Sequence, residues 1–319
     1  ATISLRSNSR ELNILMLSLD DRLFEEGSDA RERMTRYGDI FSSLHIMVFT
    51  PANRRAEKVA KNVFLYPVAA SFSPLTLLRA VRVGSSIVRR LGKNAVITSQ
   101  DAFTNIVGFA LKYRFGLPLR VEVHTDFLSP LFRRESLKNR IRYYLYGWSV
   151  KHADCIRVVS RRVRDAVQAK FKIRDSNMTV LPVFVNVAKI VTTTPNIDLR
   201  RNYPRFHPLI LVVARFTREK NVGFALEIFS RILKDFPRAL LIVVGDGPER
   251  KDLELKIRDL KSSAHVRLVG WQKGVMPYYR GADVLLVTSR YEGYGRMFIE
   301  AAASGLPIVA TPVGLVGEV

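Results

Sequence analysis

Short unbroken apolar runs recur from one end of this chain to the other, each closed by turn residues and followed by a segment with helical spacing of its apolar side chains. A strand without polar alternation is buried on both faces, the condition of a parallel sheet covered by helices. Up to residue 190 the runs are Ile14–Leu17, Leu44–Phe49, Val63–Tyr66, Val96–Thr98, Arg120–His124, Ile156–Val159 and Thr179–Leu181. Ser73-Pro74 supplies an N-cap and a first-turn proline. Leu77, Val81, Val88 and Leu91 then form one apolar face, with Arg79, Arg82, Arg89 and Arg90 largely outside it. Periodicity lapses over 191–208, which carries three prolines and reads as a linker. It resumes with Leu209–Val213, a helix over Asn221–Phe236, Leu240–Val244, a helix from Pro248, and Val266–Val269. Val284–Val287, a helix over Met297–Ala303 and Ile308–Ala310 follow. These elements predict an α/β chain of two doubly wound, Rossmann-like domains, 1–190 and 191–319.

At 319 residues there is room for two separate cores. Hydrophobic residues at 47% and charged residues at 25% fit a water-soluble globular chain, and no run approaches the ~18 apolar residues of a membrane span. The opening residues lack the apolar core of a secretory leader, so Leu12–Ser18 reads as a first strand. A single cysteine, Cys155, leaves no intrachain disulfide and fits a reducing cytoplasm. The expected location is cytoplasmic, peripheral at the inner face of a membrane. Lysine and arginine number 51 against 29 acidic residues, and 33 of the basic residues fall in 1–200 against 17 acidic ones. That field favours anionic partners, whether phosphorylated ligands, a lipid surface or nucleic acid, although solubility alone also accounts for it.

The stretch ADVLLVTSRYEGYGRMFIEAAASGLPIVATPVG (282–314) sets Glu292 and Glu300 eight positions apart around a strand-to-helix junction. Glu292 lies beyond the carboxyl end of a strand, where ligands bind in open α/β sheets, and Glu300 within the next helix. Arg215 and Lys220 occupy the loop between the strand LILVV and the helix that Asn221 opens. Two cations beside a helix N-terminus can hold a diphosphate, and they can also be solvated loop charges. For the carboxylates three uses stay open: acid and base of a glycosidase, metal ligands, or acceptors for sugar hydroxyls. The third fits best beside Arg215 and Lys220, and the absence of any D-x-D disfavours a metal-bridged diphosphate. Gly245-Asp246-Gly247-Pro248 reads as a tight turn at a pocket rim, while Gly270 and Trp271 either read a base edge or simply pack.

In the first half, His124 closes a strand at its carboxyl tip, placed to bond a sugar hydroxyl or carry a proton, or to serve structure. Asp101 has the same placement. Gly27-Ser28-Asp29 either approaches a phosphate through its backbone or makes a plain turn and N-cap. Residues 131–151 mix basic and aromatic side chains, which suits an anionic bilayer or a core-facing helix with a solvated face; no nucleic-acid module is recognisable.

Taken jointly, Glu292-x7-Glu300, Arg215 and Lys220 in VARFTREKN, Gly245 to Pro248, Gly281 to Val284, and His124 resemble the retaining glycosyltransferases of family 4 (group 1), with the GT-B fold. The resemblance spans nearly the whole chain and is strongest over 209–314. It implies two Rossmann-like domains facing a central cleft, the second binding a nucleotide-sugar and the first the acceptor, with metal-independent transfer and no cofactor. Carried onto this chain it implies that Arg215 and Lys220 hold the diphosphate, Glu300 the ribose and Glu292 the sugar. Gly293, Tyr294, Gly295, Arg296 and Met297 would line the sugar pocket, with His124 reaching the sugar. The donor is then a UDP- or GDP-sugar and the acceptor a glycan or lipid-linked hydroxyl, with no nucleic-acid partner. An epimerase or hydrolase on the same fold, or an inactive nucleotide-binding module, are the rival expectations. Three features depart from the family pattern: Gly27-Ser28 in place of a double glycine, Arg296 where an apolar residue is commoner, and no closing C-terminal helix before Val319.

Overall fold

The computed structural model describes residues 11–69, 73–192 and 197–318. The chain divides into two compact units, one of residues 1–127, 138–159 and 163–181, the other of 128–137, 160–162 and 182–319. The second unit thus begins before the 190/191 division read from the sequence and takes in two short upstream segments. Part of the expected linker, 193–196, lies outside the described residues, as do residues 1–10.

The first unit is built on eight strands: β1 (Asn13–Ser18), β2 (Ser43–Thr50), β3 (Glu57–Ala60), β4 (Val63–Ala69), β5 (Ala95–Ser99), β6 (Leu119–Val123), β7 (Cys155–Val158) and β8 (Met178–Val180). Their order across the sheet is β3-β4-β2-β1-β5-β6-β7-β8. All seven apolar runs expected in this half are strands, and all pair in parallel. β3 pairs antiparallel to β4 at the edge and was not expected. It is polar and only half-buried, so it carries no apolar run to announce it, and charged edge strands of this kind discourage further pairing. Leu15, Leu17, Leu44 and Ile46 are fully buried, as two-faced cover requires.

The second unit is a five-stranded, all-parallel sheet of β9 (Leu209–Val213), β10 (Leu240–Val244), β11 (Val266–Gly270), β12 (Val284–Val287) and β13 (Ile308–Ala310), in the order β11-β10-β9-β12-β13. The strand order reverses at β9: β10 lies on one side of it and β12 on the other. Ligands bind beyond strand ends at such switch points. The helix Val222–Asp235 packs on this sheet through Val222, Ala225, Leu226 and Phe229, all buried at helical spacing. Burying Leu226 and Phe229 contributes roughly 2–3 kcal/mol each, and Phe229→Ala is expected to cost about 3–5 kcal/mol. The helix expected from Pro248 starts at Arg250, after a turn in which the Arg250 N–H donates to the Gly247 carbonyl at 3.1 Å. Leu199, inside the expected linker, is buried against Gly281.

Candidate functional site

The loop between β9 and the helix Val222–Asp235 is shaped from both sides. The Phe216 N–H donates to the Asp246 carbonyl at 2.9 Å, and the Thr288 hydroxyl donates to the Asn221 carbonyl at 3.0 Å. Gly245, just beyond β10, presses on this loop: at φ +139° a Cβ there would run into the carbonyl of Ala214. Asn221 takes the left-handed conformation (φ 52°) and gives no side-chain cap, so the helix starts with its first-turn N–H groups uncapped by a side chain.

Within this frame Lys220 reaches across to the loop after β12. Its Nζ donates to Glu292 Oε1 at 2.6 Å and pairs with Glu219 Oε1 at 2.9 Å. Burial opposes the charge on Lys220, but Glu292 and Glu219 outweigh it and raise its pKa. Glu292 is only 8% exposed, and Ser289 Oγ donates to the same Oε1 at 2.9 Å. Both hydrogen bonds therefore fall on one oxygen, and Oε2 retains its lone pairs for another donor. Arg215 is largely exposed and leans on Glu219 at 3.4 Å. One carboxylate thus touches both cations.

Gly295, left-handed at φ 81°, opens the helix Arg296–Ala303 without a side-chain cap. Its Cβ position would collide with the Phe298 ring. Gly293 and Tyr294 are buried, Met297 is half-buried, and the Gly293 carbonyl accepts from Ser160 Oγ at 2.8 Å. Glu300 is held at both oxygens: Tyr279 donates its hydroxyl to Oε2 at 3.0 Å, and Arg296 pairs with Oε1 at 3.2 Å. Burial, reinforced by Glu300, pushes the Tyr279 phenol well above its usual pKa, so it remains a donor. Gly270, at φ 83°, accepts from the Gly245 N–H at 2.9 Å, and the adjacent Trp271 is 72% exposed.

The structure therefore links Lys220 directly to Glu292 and brings Arg215 to Lys220 through Glu219. Glu219, Ser289 and Tyr279 escaped the sequence reading. Glu219 had a signal, four residues after Arg215 and next to Lys220; Tyr279 had none, lying 21 positions before its partner.

The remaining candidates belong to the first unit. His124 follows β6, and its Nε2 lies 3.1 Å from Glu122 Oε2. Glu122 is fully buried beneath Thr98, Arg120 and Arg157. Burial works against its charge, yet the bond from His124 and the charges of Arg120 and Arg157 hold its pKa well below the carboxylate range. An ionised carboxylate only accepts, so the Nε2 of His124 that faces it carries a proton. Asp101 caps the helix Ala102–Phe115 in a capping box, and its second oxygen accepts from Arg142 at 2.6 Å. Ser28 N-caps the helix Asp29–Gly38 after Gly27, which is left-handed at φ 72°. Among the described residues, no group of three or more His, Cys, Asp or Glu is placed to hold a metal ion. No helix among them is long and apolar enough to cross a membrane.

Residues 200–319 match the family profile described as glycosyl transferases group 1, and residues 43–183 match that of a glycosyl transferase 4-like domain. An uncharacterized glycosyltransferase of Methanocaldococcus jannaschii is 24% identical over 247 residues, 75% of this chain and 60% of its own length. The α-monoglucosyldiacylglycerol synthase of Acholeplasma laidlawii is 37% identical over 101 residues, 31% of this chain and 25% of the relative. The chain thus spans less than two thirds of either relative. Sucrose-phosphate synthase from Thermosynechococcus elongatus superposes with a TM-score of 0.78 at 20% identity, covering 96% of this chain and 82% of that one. Anabaena HepE, solved with UDP and glucose, gives 0.71 at 19% identity, covering 97% and 83%. These structural likenesses show the fold, two Rossmann-like domains of the GT-B class. With the two profiles between them matching residues 43–183 and 200–319, the chain belongs to the group 1 glycosyltransferases.

Proposed function

We propose that the protein transfers a hexose-type sugar from a nucleoside diphosphate to a hydroxyl of a glycan or lipid-linked acceptor, with retention at the anomeric carbon. The observation that carries this is the Lys220–Glu292 contact of 2.6 Å beside Arg215, a cation and a carboxylate joined across two strand-to-helix loops. Support for a nucleotide-sugar donor comes from HepE, solved with UDP and glucose, and support for a lipid acceptor from the glucosyldiacylglycerol synthase. UDP- and GDP-sugars are the donors to try.

In this reading Arg215 and Lys220 neutralise the departing diphosphate, Glu300 accepts from the ribose hydroxyls, and Glu292 Oε2 accepts from the sugar. The backbone of Gly293–Met297 and the indole of Trp271 line the donor site. As the C1–O bond to the diphosphate breaks, the acceptor oxygen bonds to C1 from the same face and its proton passes to the leaving phosphate oxygen. The charge stabilisation comes from side chains and needs no metal or cofactor; removing one such donor typically costs about 3 kcal/mol.

Calorimetric titration with nucleoside diphosphates and their sugars, followed by transfer assays over an acceptor panel, tests this. Tight donor binding with acceptor-dependent transfer is expected, and wild-type turnover in Arg215→Ala would overturn the assigned role. Free sugar released at full rate without acceptor would instead indicate a hydrolase, and nucleotide binding without turnover a binding module.

A further inference from the structure

One side of the first unit carries three adjoining helices, Pro74–Leu91, Ala102–Phe115 and Leu137–His152. The first meets the second where Gly84 faces Leu111, and the second meets the third where the Phe109 and Trp148 rings stand 4.4 Å apart, edge to face. Together they hold ten lysines and arginines and no aspartate or glutamate. The acids that neighbour this layer, Asp101 and Asp154, are already held by Arg142 at 2.6 Å and Lys112 at 2.7 Å.

The outer side of the layer is also apolar. Ile141, Tyr144 and Trp148, at i, i+3 and i+7, point outward from the third helix, and Tyr113 adjoins Trp148 through Phe109. Tyr113 is 64% exposed and Tyr144 62%, unusual values for rings on a helix whose buried face is already filled. On the first helix Leu75 and Leu78 are exposed beside Arg79 and Arg82. Exposed aliphatic and aromatic side chains among exposed cations such as Arg79, Arg82 and Arg140 suit a surface that is anionic at its face and apolar just beneath. Tyrosine and tryptophan sit at head-group depth, aliphatic groups reach the acyl boundary, and arginines pair with phosphates. A nucleic acid would use the cations but gain nothing from Ile141, Leu75 and Leu78.

We propose that this three-helix face docks on an anionic lipid bilayer. The inference is independent of the donor-site residues of the second unit. Purified protein is to be sedimented with vesicles of phosphatidylcholine alone and of phosphatidylcholine mixed equally with phosphatidylglycerol. Binding is expected to the anionic vesicles only and to weaken as salt rises. Arg82→Ala and Arg140→Ala should each lower the partition coefficient about fivefold. Ile141→Ser with Tyr144→Ser should abolish binding. Unchanged melting temperature and unchanged titration with UDP show that each variant is folded, and they read the donor site separately. Equal sedimentation with both vesicle types, or wild-type binding by the variants, would overturn the proposal. So would binding to duplex DNA in place of vesicles, or a solution dimer that Tyr144→Ser dissociates.

Discussion

The Nζ of Lys220 stands 2.6 Å from Oε1 of Glu292, although the two are 72 positions apart and on loops following different strands. On the proposed reading the contact couples stability to chemistry. Removing the cation leaves Glu292 buried without its counter-charge, and breaking such a pair from one side costs about 3–5 kcal/mol. Lys220→Met is therefore expected to lower the melting temperature and reduce kcat by about a hundredfold. In the double variant Lys220→Met/Glu292→Gln the charge imbalance is gone, so much of the stability should return while turnover stays low. Thermal melts beside steady-state kinetics separate the outcomes; recovery of both would make the pair structural alone.

Glu219 lies 2.9 Å from Lys220 and 3.4 Å from Arg215, where the proposed function puts a diphosphate oxygen. In the free protein it lends the two cations a counter-ion that an incoming anion must displace. Glu219→Gln keeps the size of the side chain and removes that competitor. It is expected to tighten UDP or GDP binding roughly fivefold, about 1 kcal/mol for a partly exposed pair, and to slow product release. Titration calorimetry and nucleotide off-rates check both effects; weaker binding would show that Glu219 holds Lys220 in place.

Strands were the most legible part of this chain, because a run such as Leu240–Val244 leaves no alternative to burial on both faces. Edge strand β3 carries no such run and was missed. Within the site, motif spacing led to Arg215, Lys220, Glu292 and Glu300. Of the partners that fix them, Tyr279 reaches Glu300 from another helix, and Ser289, three positions before Glu292, meets it where the loop folds back. Glu122 lay in plain view two residues before His124, yet a charged residue in a strand reads as a face and gives no hint that Arg120, Arg157 and Thr98 converge on it. Such convergence belongs to the packed sheet.

Gly245 is required by contact as well as by conformation. Any side chain there meets the Ala214 carbonyl, and its φ of +139° is one that L residues rarely adopt. Gly245→Ala is expected to push the Arg215 loop from its place, with a loss of about 1–3 kcal/mol and a fall in kcat/KM. Gly274→Ala is the matched control, since a Cβ there meets nothing within 4 Å. Melting temperatures of the two variants should differ clearly; equal values would mean that the loop yields without cost.

The first unit should weaken in acid in two steps. His45 is buried, stacks on Phe64 with ring centroids 4.7 Å apart, and lies 2.9 Å from the Tyr66 hydroxyl. Burial, with Arg90 nearby, lowers its pKa to about 4. An unfolded chain therefore binds a proton near pH 6.5 that the folded chain refuses until about pH 4, and stability falls across that window as pH drops, by roughly 3 kcal/mol. Glu122, whose pKa is held down chiefly by His124, Arg120 and Arg157 against the pull of burial, acts lower. Its contribution is complete above the unfolded carboxylate value near 4.3 and drains away as pH falls below it. His45→Phe keeps the stack and removes the proton acceptor, so its urea midpoint should stay flat from pH 6.5 to 4 where the wild type declines. Below pH 4 the two should fall in parallel until Glu122→Gln removes that slope as well. A wild-type midpoint constant from pH 7 to 4 would show that His45 titrates normally in the folded chain.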